Sequence, residues 1–176
     1  EHDIEGIKLL RNTGQVPDNS LDIAFLMDVL EHEKNAGNLL KETLTKIKSG
    51  GIIVVTVPAH QFLFSEHDIY LKHCRRYSPS VLLELTKGLE VEITKCFSFF
   101  TLLFFIRLIQ VFCAKSFLFK TSGSGVGEWT FPESHLLTKF LTSLLKIDFA
   151  VNRALSGYGL YTLGLSICMI LKKKSA

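Results

Sequence analysis

The sequence predicts an α/β fold built on a parallel sheet, and three observations in its first half predict it. Residues 21–27, LDIAFLM, are a short apolar run after the turn-like Val16-Pro17-Asp18-Asn19-Ser20, the pattern of a buried strand. Residues 35–48 place Leu40, Leu44 and Ile47 on one face of a helix. Residues 52–57, IIVVTV, are a continuous apolar, β-branched run of the kind covered on both faces of a sheet. Strand, helix and strand in that order imply a parallel pair joined by a right-handed crossover.

The remaining elements follow in chain order. Lys46 and Lys48 suit the negative end of the first helix, and Gly50-Gly51 is expected to close it with a left-handed cap. Pro58 stops the second strand. Ser78-Pro79 is a helix start, with serine as N-cap and proline at the first helical position, and Gly88 ends that helix. Residues 91–99 alternate as a strand. Residues 100–119 are almost wholly apolar, interrupted by Arg107 and Lys115. A membrane span needs roughly 20 apolar residues with few charges, and a mid-segment arginine is costly there, so a buried or interfacial helix is expected. Residues 121–128, TSGSGVGE, read as a flexible loop, 135–155 as an amphipathic helix, and 163–171 as a last strand closed by Lys172-Lys173-Lys174.

Composition narrows the function. At 176 residues the chain can bury the core of one domain, and 47% hydrophobic with 21% charged residues excludes disorder. That balance fits a dense core or some peripheral membrane contact. A net charge of +3 without a basic stripe argues against a nucleic-acid partner. Cys74, Cys96, Cys113 and Cys168 form no CxxC pair and read as reduced thiols of a cytoplasmic protein. The chain begins at Glu1, which raises the expectation of a longer natural protein. Nothing in the sequence addresses the oligomeric state.

Several motifs carry chemistry. Gly123-Ser124-Gly125-Val126-Gly127 lacks the preceding strand and following helix of a phosphate cradle, and reads as a linker. His67, Asp68, His73 and Cys74 offer metal-ligand types, but no matching pair stands elsewhere at a zinc-site spacing, so no metal is expected. Cys74 beside His73 has no identifiable orienting partner for nucleophilic work. The strongest signal is positional. Ligands of open parallel sheets bind beyond the carboxyl ends of the strands. Asp28-Val29-Leu30-Glu31-His32 follows one strand, and Pro58 through Tyr77 follows the next, so both polar clusters fall on one rim. The plainer alternative is that Glu31 and His32 cap the following helix.

Taken together, PDNSLDIAFLMDVLEH, KIKSGGIIVVTVPA and SEHDIYLKHCRRYS resemble the class I S-adenosylmethionine-dependent methyltransferases of the type 11/12 kind. The resemblance spans roughly residues 16–99, with Leu21 in place of the usual Phe and Ser49 in place of the usual Pro. It implies a Rossmann-like sheet, mostly parallel with an antiparallel last strand, lacking the first strands and the glycine-rich cofactor loop. Residues 1–99 would then be the C-terminal part of the cofactor-binding core, 100–160 an apolar helical insertion or lid, and 161–176 the last strand and basic tail.

The implied cofactor is S-adenosyl-L-methionine, held by Asp3, Asp28, Val29 and Leu30. The resemblance makes His32 and His67 the candidate catalytic residues, since a neutral imidazole suits a base near pH 7. Pro58, Ala59, Asp68, His73, Arg75, Arg76 and Tyr77 would bind the methyl acceptor. Paired arginines suit an anionic acceptor group or an internal ion pair. The apolar segments favour a small-molecule or lipid-linked acceptor. Two other readings stand beside this one: a non-catalytic remnant or membrane-associated accessory protein, and a metal-dependent hydrolase at His67 and Asp68.

Overall fold

The computed structural model describes residue 10 and residues 12–115, 135–158 and 163–175. Four strands form one sheet in the order β1-β2-β4-β3, where β1 is Leu21–Met27, β2 Ile47–Pro58, β3 Val91–Phe99 and β4 Ser166–Lys173. β1 pairs parallel with β2, and β4 lies antiparallel between β2 and β3. The expected antiparallel last strand beside the second strand is therefore found. Helix α1, Ala36–Lys46, supplies the crossover between β1 and β2.

α1 has its apolar stripe where the spacing places it, with Leu40 and Leu44 buried. They pack with Leu30, Ile53, Val55, Val57, Ile167, Met169 and Leu171 into the main core on one face of the sheet. Helix α3, Pro79–Leu85, adds Leu82 to that core. Its start is as predicted: Ser78 Oγ accepts a hydrogen bond from the Val81 amide at 3.3 Å, and Pro79 is the first helical residue. Gly88 follows with φ +77°, the left-handed conformation that glycine adopts without steric cost.

Two expectations need correction. Gly50-Gly51 does not cap α1. The helix ends at Lys46, the strand begins at once at Ile47, and the pairing with β1 slips between Leu21 and Ile23. The glycines absorb that irregularity: Gly50 has φ +76°, and a Cβ on Gly51 would come within 2.7 Å of Ile47 Cγ2 and 2.9 Å of the Asp22 carbonyl. Among the described residues, β1 is also covered on one face only. Ala24 and Leu26 pack on the main core, whereas Ile23, Phe25 and Met27 are 44%, 60% and 59% exposed.

The other face is covered at β3 by helix α5, His135–Ser156, whose Phe149 ring meets Phe97 and Phe99 at centroid separations of 5.3 and 5.5 Å. Helix α4, Thr101–Lys115, takes up the described part of the apolar segment, and residues 116–119 and 121–128 lie outside the described residues. α4 buries Phe104 and Val111 against Leu63, leaving Phe105, Ile106, Ile109 and Phe112 exposed. Its first turn is held by Asp148 of α5, whose carboxylate accepts from the Phe100 and Thr101 amides at 2.7 and 3.1 Å. A carboxylate at that end satisfies otherwise orphaned donors and complements the helix dipole. Among the described residues, no helix is long and apolar enough to cross a membrane.

Candidate active site

Both polar clusters do lie at the carboxyl ends of β1 and β2, and backbone bonds tie them into one rim. Asp28 leaves β1 with φ +52°, its amide donating to the Thr56 carbonyl at 2.9 Å. A tight turn follows, with the His32 amide bonded to the Val29 carbonyl at 3.1 Å. From β2, Pro58 and Ala59 run beside Tyr77: the Tyr77 amide donates to the Pro58 carbonyl at 2.9 Å, and the His60 amide to the Tyr77 carbonyl at 2.8 Å. Two further bonds join the loops. Tyr77 Oη donates to the Leu30 carbonyl at 2.8 Å, and the Cys74 amide to the Glu31 carbonyl at 2.7 Å.

Asp68 is the hub of the second loop. It sits in the short helix α2, Glu66–Tyr70, where it forms a capping box with Ser65. One carboxylate oxygen accepts from Arg76 Nε at 2.7 Å and faces His73 Nδ1 at 3.0 Å, while the other accepts from the Ser65 amide at 3.0 Å. Burial pushes the Asp68 carboxyl up, but the Arg76 and His73 hydrogen bonds outweigh it and hold the group below its ordinary value. Arg76 is itself buried and also donates to the Ala59 carbonyl at 3.3 Å. From α4, Arg107 reaches Ser65 Oγ and lies 3.9 Å from Asp68.

The predicted site residues thus divide. Asp28 and His32 are exposed, and Val29, Pro58, His67, His73 and Arg75 are partly exposed along the rim. Asp68, Arg76 and Tyr77, expected to meet an acceptor, are buried, and their polar groups bond within the protein. Leu30 and Ala59 are fully buried; the Leu30 side chain belongs to the core, and its carbonyl accepts from Tyr77. Arg75 donates to the Lys34 carbonyl at 3.0 Å. Asp3 lies outside the described residues. Among the described residues, His67, Asp68, His73 and Cys74 do not converge as one set of metal-ligand atoms.

Three residues gain weight that sequence reasoning did not give them. Glu31 is fully buried with neither carboxylate oxygen hydrogen-bonded, and it does not cap α1, whose N-cap is Asn35. Burial, and then the charge of Asp28, push its carboxyl up. His60, at φ +63°, packs its ring near Phe62 and Phe104 with Nε2 buried and unpartnered, and burial pulls its imidazole down. Arg107 looked like an obstacle in an apolar helix; its partners in the loop explain its place. His67 is also held below its ordinary value, first by burial and then by the Arg107 charge.

No family model matches the chain, and no curated protein does. Solved structures do. An S-adenosylmethionine-dependent methyltransferase from Thermotoga maritima aligns with a TM-score of 0.50 at 16% identity, over 91% of this chain and 59% of that one. One from Archaeoglobus fulgidus aligns with a TM-score of 0.46 at 19% identity, over 92% and 63%. The chain therefore spans about three-fifths of the length of either. The likeness establishes the fold, a Rossmann-like methyltransferase sheet with an antiparallel last strand.

Proposed function

We propose that the chain forms part of an S-adenosylmethionine-dependent methyltransferase acting on a small-molecule or lipid-linked acceptor. The observation that carries this reading is the rim itself: on a methyltransferase fold, the turn after β1 and the loop after β2 are bonded together at the sheet edge where such folds bind ligands. Exposed Asp28 and partly buried Val29 would meet one flank of the cofactor. Residues 12–20, ahead of β1, contain no strand followed by a glycine-rich turn. When bound, the cofactor supplies an electrophilic methyl group on a sulfonium.

The chain's own contribution is to position the acceptor and take its proton. His32 presents an exposed imidazole on the rim, its ring edge-on to His73 at a centroid separation of 4.8 Å. We assign it the base, with His67 as a second candidate. Arg75 and His73 would contact the acceptor, and Asp68, Arg76 and Tyr77 would hold the loop that presents them. The exposed Phe105, Ile106, Ile109 and Phe112 of α4 support an acceptor with a lipid portion and peripheral contact with a membrane surface.

The test is calorimetric titration with S-adenosylmethionine and S-adenosylhomocysteine, using this chain and a version extended upstream in its reading frame. Saturable binding by the extended protein is expected. Its absence from both proteins overturns the reading in favour of a non-catalytic accessory role.

A further inference from the structure

We propose that Glu31, His32 and His73 form a binding site for a divalent transition-metal ion, with zinc as its probe. Each side chain offers one donor atom, and the three atoms lie within 4.8 Å of one another. This inference does not rest on the methyltransferase reading.

Glu31 is the first argument. It is fully buried, and both carboxylate oxygens lack a hydrogen-bond partner. An unsatisfied buried polar group costs roughly 1–3 kcal/mol, and more when charged. Such a group persists when it is protonated or when a cation completes it.

His73 is the second. Its Nδ1 is engaged by Asp68 at 3.0 Å, which leaves Nε2 to face Glu31 Oε1 at 4.0 Å. A carboxylate behind the far ring nitrogen is the arrangement that fixes the tautomer and orientation of metal-ligating histidines. Asp68 is held in turn by Arg76 and Ser65, so the imidazole is aimed by a rigid support. His32 closes the set from the solvent side, its ring edge-on to that of His73.

Two imidazole nitrogens and one carboxylate oxygen suit zinc, cobalt or nickel better than magnesium or calcium, which prefer all-oxygen shells. Zinc bonds of about 2.0–2.1 Å place neighbouring tetrahedral donors roughly 3.4 Å apart. The Glu31–His73 pair is close to that, and exposed His32 has the freedom to move in. Three protein ligands leave a fourth position for a small oxygen ligand, as in catalytic rather than structural zinc sites. A metal there would occupy the His32 lone pair, so the metal-loaded protein could not use that imidazole as a free base. Sequence spacing did not reveal the site because two of its ligands are adjacent residues in a turn and the third comes from another loop.

The test is titration of chelator-treated protein with zinc chloride by calorimetry, without cofactor or acceptor. One zinc per chain, a raised melting temperature in the presence of zinc, and the visible bands of tetrahedral cobalt on substitution are expected. E31Q and H32A should each weaken zinc binding beyond the roughly ten- to hundredfold loss typical of an outer partner, and D68N should fall within that range. C74S should bind as the wild type does, which excludes capture by the exposed thiol. Metal-free E31Q, which keeps the shape of the side chain, should keep the far-ultraviolet circular dichroism of metal-free wild type, so that lost binding reports lost ligation. No saturable zinc binding by wild type, or unchanged binding by both E31Q and H32A, overturns the proposal, whatever the outcome of cofactor titration.

Discussion

Arg76 Nε donates to Asp68 at 2.7 Å with both side chains buried, so an ion pair lies at the centre of a loop that sequence reasoning assigned to the acceptor. Taking two charges out of water is costly, and such a pair holds only when its remaining polar atoms are also satisfied. Here Ser65, His73 and the Ala59 carbonyl do that. Removing one partner strands the other. R76M should destabilise the protein by about 3–5 kcal/mol, measured by urea unfolding. A loss under about 1 kcal/mol, the range of exposed pairs, would show that the pair is solvated.

Tyr77 tests the link between the two loops. Y77F keeps the buried ring and removes only the bond to the Leu30 carbonyl. A cost of about 0.5–1.5 kcal/mol is expected for the bond, plus a penalty for the carbonyl left unpaired. Hydrogen exchange should report the change locally, with faster exchange of the Cys74 and His32 amides in Y77F. Exchange confined to β3 and β4 would mean that Tyr77 does not couple the loops.

His60 carries a pH dependence with a definite sign. Burial lowers its folded-state value below the ordinary histidine value of 6.5. The unfolded chain therefore takes up the proton first as pH falls. The stability tied to neutral His60 is fully present above about 6.5 and is lost as pH falls through the lower folded value. H60N, which tolerates the left-handed backbone at this position, should flatten the slope of unfolding free energy across that window. An unchanged slope would place the titration elsewhere.

The thiols separate by environment. Burial, with a smaller contribution from Cys96, pushes Cys168 up to about 11, whereas Cys74 is exposed. The thiolate is the reactive form. Alkylation near pH 8 followed by peptide mapping should find Cys74 modified and Cys168 spared until the protein is unfolded. Early modification of Cys168 would show that β4 opens readily.

The alternation of element types was legible in the sequence because it depends on local chemistry. β-Branched 52–57, the Leu40-Leu44 stripe and the Ser78-Pro79 start each act within a few residues, and each element is present. The rim was legible for the same reason, since it follows from where the strands end. Gly50-Gly51 was misread because a helix cap and a strand irregularity make the same demand on the backbone, and only the pairing of β1 with β2 distinguishes them.

The sequence by itself determined an α/β sheet with two polar loops on one edge, and a resemblance that named its fold. Only the tertiary structure decided what those loops do with their side chains. It turned Asp68, Arg76 and Tyr77 inward, tied Arg107 of a distant helix to the loop, and placed Glu31 and His73 face to face. The reason is physical. Residue type and spacing fix which groups can ionise or donate, but burial and the partner across space fix whether a charge is paired, desolvated or left open to a ligand. In SEHDIYLKHCRRYS, Asp68 finds Ser65, His73 and Arg76 within the stretch, but Tyr77, His73, Arg76 and Ser65 also meet Leu30, Glu31, Ala59 and Arg107 from outside it.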